Sequence, residues 1–202
     1  VSAIVHFSRL THRALIVDGR TLVELSACEE KNSLVRIHLL YKKAAFNYPK
    51  FFKMDPLCKA GMLCLLPFAE YLNTHPQASE GGLLFFTDTG CRLTDEEHIR
   101  LMNSSSASPA VFVYTLPNII LGEWSIFSRW VGYGQCFLMP AFNALYVAQR
   151  MAAFKADFPR APLVAGWCSV NDDFFEGILL ICHDSKASET ELAKQISHIY
   201  HL

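Results

Sequence analysis

Gly81-Gly82 leads into Leu83-Leu84-Phe85-Phe86-Thr87, a run that is apolar on both of its alternating faces. A strand of this composition has no side to present to water, so it reads as buried on both faces at the centre of an α/β sheet. The rest of the chain must then supply neighbouring strands and helices for both faces. Residues 163–170 and 176–182 are two further β-prone runs, separated by the turn-forming Asn171-Asp172-Asp173, and they read as an antiparallel pair. Near the start, Asp18-Gly19 lies between Ala14–Val17 and Thr21–Leu25, which is a hairpin signal.

Helical signals fall between these runs. Leu34, Ile37, His38 and Tyr41 share helical spacing behind a cap at Asn32 or Ser33, in a short helix that ends before Pro49. Asp55-Pro56 opens another helix, because Asp accepts bonds from free N–H groups and Pro fits the first turn without losing a bond. Its apolar face runs to about Asn73, with a kink predicted at Pro67. Thr94-Asp95-Glu96-Glu97 opens a helical turn, 103–108 is a polar loop, Ala141–Phe154 repeats helical periodicity, and Ser188 starts a last amphipathic helix carrying Leu192, Ile196 and Ile199. No internal repeat interrupts this order.

At 202 residues the chain fits one ordinary domain, long enough to bury roughly 70 % of its unfolded surface. Hydrophobic residues make up 51 % and charged residues 18 %, an apolar balance that favours a dimer or heterodimer covering part of the surface. The net charge of -1 and the lack of a basic stripe argue against a nucleic-acid partner. Apolar runs such as 61–69 are too short to span a bilayer, and no signal-like segment begins the sequence, so the reading is of a soluble, cytoplasmic protein. The seven Cys lack any C-x-x-C pair and read as reduced, mostly buried thiols; the eight His lack ligand spacing, so neither metal nor cofactor is expected.

Three segments carry a family resemblance: Tyr48-Pro49-Lys50-Phe51-Phe52-Lys53-Met54-Asp55, then 108–118 (SPAVFVYTLPN) with Gly122-Glu123, and last Ala165-Gly166-Trp167 with Asp172. Together, over about residues 30 to 185, they resemble the N-terminal half of β-ketoacyl synthases. The similarity is greatest to divergent ketosynthase-like proteins of bacterial aryl-polyene and flexirubin-type pigment pathways. The resemblance implies half of a thiolase-like fold, a mixed β-sheet covered by helices, with residues 1–202 as a single β-ketoacyl synthase N-terminal-like domain. It implies that the nucleophilic Cys of active members comes from this half and the two His from a second half, to which none of the His here corresponds.

In the family pattern a Gly turn leads through a short buried strand to the Cys at a helix start, about nine residues on, where the helix end lowers the thiol pKa. Counting from Gly132 lands on Ala141, flanked by Pro140 and Phe142, none of which can attack a thioester. Cys136 falls five residues short, at the start of the expected strand, where burial keeps a thiol protonated; it is the alternative nucleophile. The resemblance places Asn118, Phe137, Ala141 and Phe142 at an acyl tunnel or subunit interface. Ser104-Ser105-Ser106 lacks a G-x-S-x-G context, Asp172-Asp173 is explained by turn chemistry, and Gly132-Tyr133-Gly134 lacks the rest of a phosphate loop.

The expected function is therefore a ketosynthase-like accessory subunit resembling a chain length factor, without catalysis of its own, in type II fatty-acid or polyketide (aryl polyene) biosynthesis. Its partners would be a catalytic ketosynthase, or a second copy of itself, and an acyl carrier protein. A minimal active β-ketoacyl synthase or acyltransferase using Cys136, and a binding module for hydrophobic ligands, are the alternatives.

Overall fold

The computed structural model describes residues 3–26, 30–74, 81–183 and 187–202. Seven strands form one mixed sheet: β1 (Ile4–Leu10), β2 (Ala14–Val17), β3 (Arg20–Glu24), β4 (Gly82–Thr87), β5 (Gly134–Leu138), β6 (Leu163–Val170) and β7 (Phe175–Cys182), in the order β3-β2-β1-β7-β6-β4-β5. β4 lies parallel to both β5 and β6, and the remaining neighbours are antiparallel. All residues of β4 and β6 are buried. The doubly apolar run thus sits where its composition requires, between two helical layers.

One face of the sheet carries α1 (Ser33–Lys43), α2 (Pro56–Leu65) and α6 (Ile119–Ser128), with α3 (Ala69–Thr74), α4 (Arg92–Asn103) and α5 (Pro109–Val113) around them. The other face is covered by α7 (Ala144–Asp157) and α8 (Glu189–Tyr200), which pack against each other. α8 buries Leu192, Ile196 and Ile199 and turns Glu189, Glu191, Lys194 and His198 to solvent.

Local chemistry sets most of the boundaries. Asp18 and Gly19 take φ of 47° and 79°, the left-handed pair of a two-residue hairpin turn, and join β2 to β3. Asn32 caps α1 by accepting from Val35 N, and Asp55 caps α2 by accepting from Leu57 N and Cys58 N. Pro67 breaks the long helix into α2, a 3₁₀ turn over Leu66–Phe68, and α3.

Two starts differ from expectation. α4 begins at Arg92 rather than Thr94, because the tight turn at Gly90, with φ of 54°, feeds the chain directly into Cys91, whose carbonyl accepts from Thr94 N and Asp95 N. α7 begins at Ala144 rather than Ala141, since Asn143 supplies the cap by accepting from Tyr146 N. The short strand expected to be buried is β5, and it is half-open: it forms the sheet edge, with Gly134, Gln135 and Leu138 exposed. Cys58, Cys64, Cys91, Cys136, Cys168 and Cys182 are free thiols; Cys28 lies outside the described residues.

The sheet and the first helical layer approach closely at Gly166, where a Cβ would stand 2.4 Å from Trp124 Cη2 and 3.3 Å from Ile178 O. Trp124 is fully buried and its ring lies edge-on to Phe85 at 5.6 Å, so it has little room to withdraw. Gly166→Ala should therefore destabilise the fold by about 2 kcal/mol through overpacking. Gly122→Ala, in α6 with nothing within 4 Å of the added methyl, should be neutral or stabilising. Urea unfolding of the two variants checks this contrast.

Candidate functional site

β5 runs in register with β4, from Leu83 opposite Gly134 to Thr87 opposite Leu138, and Met139 N continues the ladder by donating to Thr87 O at 3.0 Å. The chain then leaves the sheet through Pro140, Ala141 and Phe142 before Asn143 caps α7. Ala141 is exposed at this strand-to-helix junction. Its methyl offers neither a proton to lose nor a lone pair to donate.

Phe142 is held firmly. Its ring stacks on Tyr200 with centroids 4.0 Å apart and the planes 16° from parallel, and it meets Trp167 at 5.2 Å. Tyr200, near the end of α8, donates its hydroxyl to Glu176 Oε1 at 2.8 Å, and its carbonyl accepts from Arg9 Nε at 2.8 Å. Arg9 is 7 % exposed; it pairs with Glu176 at 2.6 Å and lies 4.7 Å over the Tyr200 ring. Burial, with the Glu176 bond second, pushes the Tyr200 hydroxyl up to about 12, so it stays a donor at neutral pH. The loop at Ala141 is thereby tied to both ends of the described chain.

The other expected site residues divide between the two faces. Phe137 stacks on Phe86 at 4.9 Å and meets Tyr146 of α7 at 6.1 Å, on the same side as Phe142. Cys136 packs with the α6 side of the core. Asn118 stands exposed at the start of α6, without the side-chain cap bond that its position suggested. Its neighbour Pro117 does reach the ends of β4 and β5, since a Cβ on Gly90 would be 3.4 Å from Pro117 Cγ and 3.8 Å from Leu138 Cδ2. Phe137 and Phe142 are therefore brought together, while Asn118 lies across the sheet from them.

Glu123 joins two of the three segments that carry the resemblance. It is 5 % exposed, accepts from Tyr114 Oη at 2.9 Å and pairs with Lys50 Nζ at 2.7 Å. With burial the larger cause, this contact raises the Tyr114 pKa and keeps its proton on. A buried carboxylate needs such partners.

Nucleophilic chemistry finds little here. Cys136 lies within β5 rather than at a helix start, and burial pushes its thiol up to about 11. His6 pairs with Asp18 at 2.9 Å, His183 bonds Tyr71, and His12, His38 and His98 lie against Phe rings. None of these contacts reaches Ala141 or Cys136. Large apolar side chains are exposed on β5 and just before it: Leu138 is 68 % exposed and Val131 73 %.

No protein-family profile and no curated protein matches the sequence. Among solved structures, the chain is similar to one from the ketosynthase ApeO in complex with its chain length factor ApeC, from Xenorhabdus doucetiae. That match has TM-score 0.56 and 9 % identity and covers 77 % of this chain and 73 % of that one. It is also similar to a chain of the ishigamide ketosynthase/chain length factor, with TM-score 0.62 and 11 % identity, covering 93 % of this chain and 63 % of that one. The fold is ketosynthase-like. The mixed sheet matches half of a thiolase-like ketosynthase fold, and among the described residues no helix is long and apolar enough to cross a membrane.

Within this fold, the Arg9–Glu176–Tyr200 contacts were not foreseen, because their members lie 167 and 24 residues apart and belong to no motif. Glu176→Ala should leave the Arg9 guanidinium without its counter-charge and cost about 3 kcal/mol or more. Glu176→Gln, which keeps one acceptor oxygen for Arg9 and can donate its amide to Tyr200 Oη, should cost less. Equilibrium denaturation of both variants measures the difference.

Proposed function

We propose that this chain is a non-catalytic subunit, like a chain length factor, that pairs with an active ketosynthase and shapes the space available to the growing acyl chain. The observation that carries the reading is Ala141, a methyl group at the exposed strand-to-helix junction of a ketosynthase-like fold. On this reading an acyl carrier protein delivers the chain to the partner, which performs the condensation in an aryl-polyene or related pathway in the cytoplasm. On this reading Phe137 and Phe142 wall the space near the junction, while Asn118 lies across the sheet from them, exposed at the start of α6.

The open edge of β5 supports pairing along that strand, since an edge with unpaired backbone groups and flanking apolar side chains is a ready interface. Co-expression with the ketosynthase of its own pathway should give a complex on size exclusion. Leu138→Lys combined with Val131→Lys should weaken that complex about tenfold or more without changing the melting temperature of the isolated chain. A chain that stays monomeric beside every such ketosynthase would overturn the proposal.

The second reading, an acyltransferase using Cys136, is favoured only by the partial exposure of that thiol. A thiol pushed from 9.0 to about 11 by burial is protonated below that value, so its thiolate fraction at neutral pH is about a hundredfold below that of an unperturbed thiol. Alkylation by iodoacetamide should accordingly be slow at pH 7.5 and should accelerate as the pH rises toward 11. Mass spectrometry after incubation with an acyl-carrier-protein thioester should show no adduct on Cys136.

A further inference from the structure

α4 and α5 pack on each other more than on the body of the protein: among the described residues α4 buries only Thr94, and α5 buries none. A cavity of about 540 Å³ is left where they face the first turns of α1 and α2. That volume lies within the range of small-molecule sites, roughly 300–1,000 Å³. Leu34, Met54, Pro56, Leu93 and Val111, all buried or half-buried, give it apolar walls. Apolar groups that border open space lack the contacts a filled core supplies.

The polar groups that border the same space are already satisfied within the protein. Arg100 occupies both oxygens of Glu97, through bonds of 2.7 and 2.6 Å. Glu96 and Asp172 share Arg92, at 2.6 and 3.5 Å, and Asn171 Oδ1 accepts from the same guanidinium at 3.1 Å. Both helix ends are closed by their own caps, Asn32 accepting from Val35 N and Asp55 from Leu57 N and Cys58 N. The Tyr114 hydroxyl is committed to Glu123.

Lys53 stands exposed at the rim, where water solvates and salt screens it. A charged group entering this space would give up its hydration and find no counter-charge waiting, whereas an uncharged apolar group loses nothing and gains the walls.

We propose that this cavity binds an uncharged, largely apolar small molecule of the size and class of a medium-chain alcohol, its chain against Leu34, Leu93 and Val111. The site lies on the α1–α2 side of the sheet, opposite the layer that holds Phe142, and it does not depend on the pairing proposed above.

Calorimetric titration of the isolated chain with 1-octanol should reveal one saturable site. Octanoate and octyltrimethylammonium, which share the tail and carry opposite charges, should each bind weaker by about tenfold or more, because no lining group is free to pair with either head. Ala110→Trp, which fills the cavity from an exposed position, should abolish octanol binding while leaving the urea-unfolding midpoint unchanged, and Ala110→Ser should bind as the unaltered chain does. Absence of saturable octanol binding, equal or tighter binding of either charged analogue, or undiminished affinity in Ala110→Trp overturns the proposal. Because no ketosynthase is present, failure of this titration is distinct from failure of the subunit to pair.

Discussion

Two wholly buried strands, β4 and β6, lie side by side, and neither has a face to offer to solvent. Apolar surface buried on both sides of a sheet requires two covering layers, and their supply organises the rest of the molecule. α2 and α6 close one side through Trp124, seated against Gly166, and α7 and α8 close the other through residues such as Phe154 and Ile196. The site inherits its geometry from that division. The loop after β5 must pass from the sheet edge into the α7 layer, and Ala141 lies on that passage.

Much of this was legible where the chemistry is local. Asp18-Gly19, Asn32, Asp55-Pro56, Pro67 and Ser188 each act within a few residues of themselves, and each marks a boundary in the structure. Boundaries set by the way the chain leaves a strand were less legible, since α4 takes its start from the turn at Gly90 and α7 from the side chain of Asn143. β5 shows a different limit. The family pattern implies a buried strand there, and only the strand order places it at the edge.

Of the candidate site, counting along the family pattern names Ala141, and the structure shows that residue exposed between β5 and α7. Nothing in sequence couples Phe142 to Tyr200 or Arg9 to Glu176, because those contacts form only after the sheet brings its distant ends together. Glu123 is intermediate. Its segment stood out by resemblance, while its role in tying Lys50 to Tyr114 needed the fold.

α8 has an implication for assembly. With its apolar stripe spent on α7 and the sheet, it shows Glu189, Glu191, Lys194 and His198 outward, so any protein approaching from that side meets a hydrated, charged helix instead of bare strands. Such a surface gives an intruding domain almost nothing greasy to cover. Backbone groups open to another strand lie instead at β3 and β5, the two ends of the sheet among the described residues.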